Sequence, residues 1–310
     1  MSFLQSGKGR RAGPALGLAL GLSATLWAQS APAVSGHGLN LFQQAGIALG
    51  SVPHNLEIQG NLLTRPLGSK SERQGKLVIK LLLPGRYQRA MKSQTPFGSF
   101  GMVQTLNNGQ YWSHFIRPMG GGPMFFGRNG ANGRRKLTPA ERERIQARMH
   151  ARALAMLQDQ FARAQIIWLM QLPAGYTVHY GGLAQAANGT KAEWLKLNGA
   201  HNFSALLFLD PKTQRPLMMQ YPGMVPRFAG NFRRPGGPGA PGGPGRRQSF
   251  MRMPKPQTIE LHFSNWRKVQ GHWFPMRLVK TAKGQIFEQL DIKKIQLDSN
   301  KLTAKQFAKS

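Results

Sequence analysis

Apolar residues recur at every second position along much of this chain, and that period sharply limits what it can fold into. Leu56, Ile58 and Leu62 share one parity, with Glu57, Gln59 and Asn61 on the other. Leu77, Ile79, Leu81 and Leu83 repeat the pattern, as do Ile259, Leu261 and Phe263, with Glu260 and His262 facing away. Phe274, Met276 and Leu278 continue it. A strand places successive side chains on opposite faces, so this alternation predicts strands with one buried face and one wet face. One-sided burial of this kind belongs to antiparallel sheets.

Turn-forming residues separate the runs: Pro84-Gly85, Asn107-Asn108-Gly109, Asn188-Gly189, Asp210-Pro211-Lys212-Thr213, Gln270-Gly271 and Lys283-Gly284. Each is short enough to join neighbouring antiparallel strands. Near the C-terminus the parity slips. Ile286, Leu290 and Ile292 are even-numbered, whereas Ile295 and Leu297 are odd. One extra residue in a strand produces such a slip, which predicts a β-bulge around Lys293-Lys294.

Two segments depart from period two. Residues 39–49 fit a short amphipathic helix. A long helix is predicted over 138–171, opened by the capping box Thr138-Pro139-Ala140-Glu141, with Pro at the first helical position. Ile145, Met149, Met156, Phe161, Ala164 and Trp168 read as one apolar stripe near a 3.6-residue period. Such a stripe predicts that the helix covers the sheet, or roofs a lipid-sized cavity on it.

The N-terminus reads as an address. A polar, basic start precedes the apolar stretch 14–28, which is too short to span a bilayer comfortably, and Ala28-Gln29-Ser30 offers small residues for cleavage before Ala31. Residues 1–30 therefore form a secretory signal peptide, and the mature chain is expected to be periplasmic or secreted in a bacterial cell envelope. The chain has no Cys, so disulfides, thiolate-bound metal and lipid attachment through Cys are excluded.

Charge is the other extreme. Lys and Arg number 42 against 11 Asp and Glu, a formal charge of +31. The signal segment holds three of these charges, Lys8, Arg10 and Arg11, leaving +28. A field of that size draws anions: acidic lipid head groups, polyanions or acidic proteins. Export argues against nucleic acid. Two stretches read as flexible basic loops, at 118–137 and 223–256. Residues 224–256 contain seven Gly and seven Pro, with Gly-Gly-Pro-Gly at 236–239 and again at 242–245. Arg227, Arg233, Arg234, Arg246 and Arg247 in that loop are the expected anion-binding residues.

The sequence carries no nucleophile elbow, no phosphate-cradling loop, no H-E-x-x-H helix and no paired carboxylates placed for acid–base work. The expectation is a chain that is not an enzyme and needs no cofactor and no metal.

Two segments resemble a known family. Leu207-Phe208-Leu209-Asp210-Pro211-Lys212-Thr213, followed by Pro216-Leu217-Met218-Met219, is similar to a strand–turn–strand segment of the LolA/LolB-like lipoprotein-carrier superfamily, and Phe263-Ser264-Asn265-Trp266-Arg267 with Val269, Gly271 and Phe274-Pro275 looks like its C-terminal hairpin. The resemblance spans most of residues 39–300. It implies a mainly β (α+β) fold: an antiparallel open half-barrel sheet, covered by one long helix, with a short N-terminal helix, forming a single domain over 31–310. It also implies that the concave side holds acyl chains, of a lipid or a lipoprotein, in a carrier or sensor. The expected apolar lining is Met149, Met156, Phe161 and Trp168, with Ile259, Leu261 and Phe263 opposite. The alternative is an envelope scaffold with a filled core, whose Arg/Gly/Pro-rich loops bind polyanions.

Overall fold

The computed structural model describes residues 35–69, 71–95, 98–116, 138–185, 190–225 and 256–309. The predicted signal segment and the five loop arginines Arg227, Arg233, Arg234, Arg246 and Arg247 lie outside these residues. So do nearly all of the predicted loops 118–137 and 223–256.

In chain order the elements are α1 (Ser35–Leu49), β1 (Asn55–Thr64), β2 (Arg73–Leu82), β3 (Arg86–Thr95), β4 (Gly98–Asn107), β5 (Gln110–Ile116), α2 (Pro139–Leu169), β6 (Thr177–Gln185), β7 (Lys191–Asn198), β8 (Ser204–Leu209), β9 (Pro216–Gly223), β10 (Gln257–Val269), β11 (His272–Ala282) and β12 (Gln285–Leu297). The predicted short helix begins four residues earlier than its apolar pattern, and the turn signals fall between consecutive strands. Leu83 lies just past β2.

All twelve strands form one sheet in the order β5-β4-β3-β2-β1-β12-β11-β10-β9-β8-β7-β6. Neighbours pair antiparallel throughout. Two meanders are therefore sewn together where the first strand meets the last. The sheet is not closed: β5 and β6, consecutive in sequence, lie at opposite edges. The chain must cross the whole sheet between them, and α2 lies on that crossing. Its 31 residues make a rod about 46 Å long.

The sheet is strongly curled. Phe161 of α2 packs on Tyr87 of β3, with ring centroids 5.8 Å apart. Two residues further on, the Arg163 guanidinium lies 4.4 Å from the Tyr221 ring of β9. On a flat sheet β3 and β9 would be six spacings apart, about 29 Å. A helix with its side chains is only about 10–12 Å across. Both strands can touch it at almost the same level only if the sheet wraps around it, so α2 lies inside a trough.

The core fills much of that trough. Leu56, Ile58 and Leu62 of β1, Leu77 and Leu81 of β2, Leu290 and Ile292 of β12, and Ile259, Leu261 and Phe263 of β10 are all buried on the inner face. They pack with Leu41, Phe42, Ala45 and Leu49 of α1 and with Ile166, Trp168 and Leu169 of α2. Each such side chain contributes roughly 2 kcal/mol of transfer free energy. The outer face is covered in patches. The C-terminal turn Ala304–Phe307 lies against β3 and β4 with Phe307 buried, and Gln306 accepts hydrogen bonds from Lys80 Nζ at 2.7 Å and Gln88 Nε2 at 3.1 Å.

The bulge is where the parity slip places it. Gln59 faces Lys294 and Gly60 faces Ile292, so Lys293 is the extra residue. Leu56 and Ile58 can then pair with the odd-numbered Leu297 and Ile295, while Leu62 pairs with the even-numbered Leu290. Glycine is required beside the bulge. A Cβ on Gly60 would come within 2.7 Å of the Asp291 carbonyl oxygen and 2.8 Å of Leu290 Cδ1.

Helix α2 opens with the predicted capping box: the Thr138 hydroxyl accepts from the Glu141 N–H and the Glu141 carboxylate accepts from the Thr138 N–H. It ends at Met170 in the left-handed conformation. Its apolar residues form two stripes where the sequence suggested one. Leu154, Leu157, Phe161 and Trp168 face the sheet. Met149 and Met156 stay 67% and 45% exposed, and Ile145 is exposed beside them. Phe161 lies five positions beyond Met156, which rotates the face by about 140° beyond a full turn. The outer part of the helix, from 142 to 152, is exposed on every side.

Candidate ligand site

The strand ladder determines which side chains share the inner face. Directly paired residues of antiparallel strands lie on the same side. Tyr87 of β3 is held against α2, so its alternates Arg89 and Met91 face inward too. Across β4 and β5 the register continues as Arg89–Gln104–Ser113 and Met91–Met102–Phe115, with Ser93 opposite Phe100. A polar rung is therefore followed by an apolar one.

That apolar rung is the part of the inner face the core does not fill. Met91, Phe100 and Met102 are half-buried, and Phe115 is 58% exposed. The Phe100 and Phe115 rings stand 6.0 Å apart. The outer half of α2 approaches from the neighbouring side, with His150 5.7 Å from the Tyr111 ring of β5.

Across the trough from Arg89 a charged cluster lies against α2. Lys280 of β11 and Glu288 of β12 face each other in register and form an ion pair at 2.6 Å. Their side chains are 28% and 18% accessible. Burial alone would depress the Lys280 ammonium, but the Glu288 carboxylate and Tyr221 hold its pKa above the ordinary lysine value. Burial would raise the Glu288 carboxyl, but Lys280 and Arg89 keep it below the usual carboxylate range. Burial pushes the Tyr87 hydroxyl up, against the opposing fields of Arg89, Lys280 and Arg163. On a flat sheet β3 and β11 are four spacings apart, about 19 Å. The curl brings their charges together.

Three cations thus converge from β3, β11 and α2. Glu288 neutralises Lys280. Arg163 lies over the Tyr221 ring at 4.4 Å and the Phe203 ring at 5.9 Å, and its field offsets the upward push of burial on Asp159 one turn before it. The Arg89 side chain makes no hydrogen bond and no ion pair among the described residues.

The residues expected from sequence to line the site divide into two groups. Trp168, Ile259, Leu261 and Phe263 are buried together in the core, with Phe161 half-buried against Tyr87. Met149 and Met156 stand outside it on the exposed flank of α2. Sequence reasoning missed Arg89, Lys280, Met91, Met102 and Phe115. A signal existed for the charged ones: Arg89 shares parity with Tyr87 and Met91, and Lys280 with Leu278, so each is a charge on an apolar face.

His272 anchors the other end of α2. It is fully buried, with Nε2 2.9 Å from the Trp168 carbonyl and Nδ1 3.0 Å from the Ser51 carbonyl. Burial holds its pKa below the ordinary histidine value against the pull of these carbonyls. His262 lies on the other face beside Glu260, so the two histidines do not converge. Among the described residues no three of His, Cys, Asp and Glu group to hold a metal, and no helix is long and apolar enough to cross a membrane. A cleft of about 420 Å³ lies at the rim between Arg65–Ser69 and Gly284–Ile286, beside the turn that joins β11 to β12.

No protein-family model matches the sequence, and no curated protein matches it. Among solved structures the chain is similar to a LolA superfamily protein from Nitrosomonas europaea, with 12% identity and a TM-score of 0.47 over 88% of this chain and 97% of that one. It is similar to a DUF1329 family protein from Desulfovibrio piger with 10% identity and a TM-score of 0.46 over the same shares.

Proposed function

We propose that this chain is an exported, non-enzymatic binding protein of the bacterial periplasm that holds an acyl-bearing ligand, a lipid or an acylated protein, between its sheet and α2. One observation carries the reading. The inner face continues past the filled core as an apolar patch, the half-buried Met91, Phe100 and Met102 and the exposed Phe115, which the described elements leave partly open. Apolar surface of this kind gains about 25 cal/mol per Å² on being covered, and a methylene chain is the simplest cover. The core side chains Phe161, Trp168, Ile259, Leu261 and Phe263 form the inner end of the site, and Met149 and Met156 supply an apolar flank where the chain emerges. The mature charge and the arginines of segment 223–256 steer the protein to anionic membrane surfaces.

The test uses the mature chain, purified without detergent. Organic-solvent extraction followed by mass spectrometry should release an acyl-bearing molecule, and the extracted protein should take up a fluorescent fatty acid. A chain that yields nothing and takes up nothing is not a carrier of this kind.

A further inference from the structure

We propose that the ligand's head group is anionic, a phosphate or a carboxylate, and that it is seated by Arg89 with Lys280 and Arg163 beside it. This inference rests on the acyl-binding reading above and adds to it the chemistry of the ligand's polar end.

The geometry orders the site along the strands. Arg89 and Met91 are alternate residues of β3, so cation and apolar surface lie side by side on one face, about two residue rises or 6–7 Å apart. The neighbouring strands repeat the order, Gln104 then Met102 on β4 and Ser113 then Phe115 on β5. Hydrogen-bonding groups therefore line one end of the groove and apolar groups the other. A single-chain amphiphile has the same division, with a polar head and a chain that starts within one bond of it.

The charge argues for the sign of the head group. A guanidinium facing a trough is costly unless something neutralises or solvates it. Lys280 has Glu288 at 2.6 Å, and Arg163 has the Tyr221 ring at 4.4 Å and Asp159 nearby. The Arg89 side chain has no bonded partner among the described residues, although its field reaches Glu288 and Lys280. Its planar fork suits a phosphate or carboxylate held through two parallel N–H donors. A neutral head group would leave that charge uncompensated when the chain displaced water from the trough.

The whole protein is strongly basic, so a general preference for anions must be separated from a seat at Arg89. Calorimetric titration of the delipidated mature chain, at enough salt to screen surface charge, would compare dodecyl phosphate, the uncharged dodecyl maltoside and inorganic phosphate, with each amphiphile below its micelle-forming concentration. Dodecyl phosphate should bind at least tenfold more tightly than dodecyl maltoside. Arg89→Gln should lose roughly tenfold of the dodecyl phosphate affinity, the ordinary worth of a charge-assisted pair, and leave dodecyl maltoside unchanged. Arg89→Lys should recover part of the loss. Lys196→Gln, which removes one positive charge from an exposed outer-face position of β7 between the buried Leu195 and Leu197, should change neither. Equal binding of the two amphiphiles, or an anion preference that survives in Arg89→Gln, would overturn the head-group seat while the acyl-binding reading stood. Inorganic phosphate binding as tightly as dodecyl phosphate would also overturn it, since the chain would then contribute nothing. If neither amphiphile binds, both readings fall together.

Discussion

Lys280 and Glu288 show what a charge on the inner face costs and what it contributes. As a pair each satisfies the other at 2.6 Å. Removing one leaves the other poorly solvated, so Glu288→Gln should destabilise the fold by about 2 kcal/mol in chemical denaturation. The pH dependence follows from the direction of each shift. Glu288 titrates below its unfolded value, so its stabilisation is complete above the ordinary carboxylate pKa and fades as pH falls through the folded one. Lys280 titrates above its unfolded value, so its share is complete below the ordinary lysine pKa and is lost as pH rises through the folded one. Unfolding midpoints measured between neutral and acidic pH should fall less steeply for Glu288→Gln than for the unaltered chain. His272 behaves differently. Its folded pKa lies below its unfolded value, so the unfolded chain takes up the proton first and stability declines as pH drops below the ordinary histidine pKa. In His272→Gln that decline should vanish. A decline of equal size in the variant would show that His272 does not clamp α2 as a neutral ring.

At the scale of elements, α2 is two helices in energetic terms. Its second half is buried among the core, whereas residues 142–152 are exposed and rely on intrinsic propensity and on the cap. Thr138→Ala should cost about 1 kcal/mol of local helix stability. Amide hydrogen exchange should register this as faster exchange over 139–152 with little change over 157–169. Uniform slow exchange along α2 would mean that the outer half is packed. Much of this level was legible in the sequence. Alternation located strands, Gly and Asn marked turns, Thr138 to Glu141 marked the helix start, and a parity slip located the bulge at Lys293, because each of these signals is local. The pairing of β1 with β12 was not legible, since the residues that meet are more than two hundred positions apart. Nor was the split of the α2 stripe. Met149 and Met156 obey a helical period but lie about 120–140° from Phe161, so hydrophobicity alone could not say which face meets the sheet. Arg89 and Lys280 were visible as charges on apolar parity, but their convergence needs the curl, which no local pattern encodes.

For the whole molecule, curl and charge together define the reading. An open sheet wrapped around a helix leaves an inner face that the helix covers only where it is itself apolar, and the formal charge of +28 carried by residues 31–310 biases encounters toward anionic surfaces. The mature chain should therefore co-sediment with vesicles rich in phosphatidylglycerol at low salt and be released as salt rises, while vesicles of phosphatidylcholine should not retain it. Binding that ignores salt would point to insertion of apolar groups instead. The most direct measurement of where a ligand lies is photo-labelling. A fatty acid carrying a diazirine near the end of its chain, irradiated with the delipidated mature protein and mapped by peptide mass spectrometry, should mark β3–β5 at Met91, Phe100, Met102 or Phe115 and the facing part of α2. Adducts confined to the outer face, for example around Phe307, or no adduct at all, would contradict the claim that the trough holds the chain.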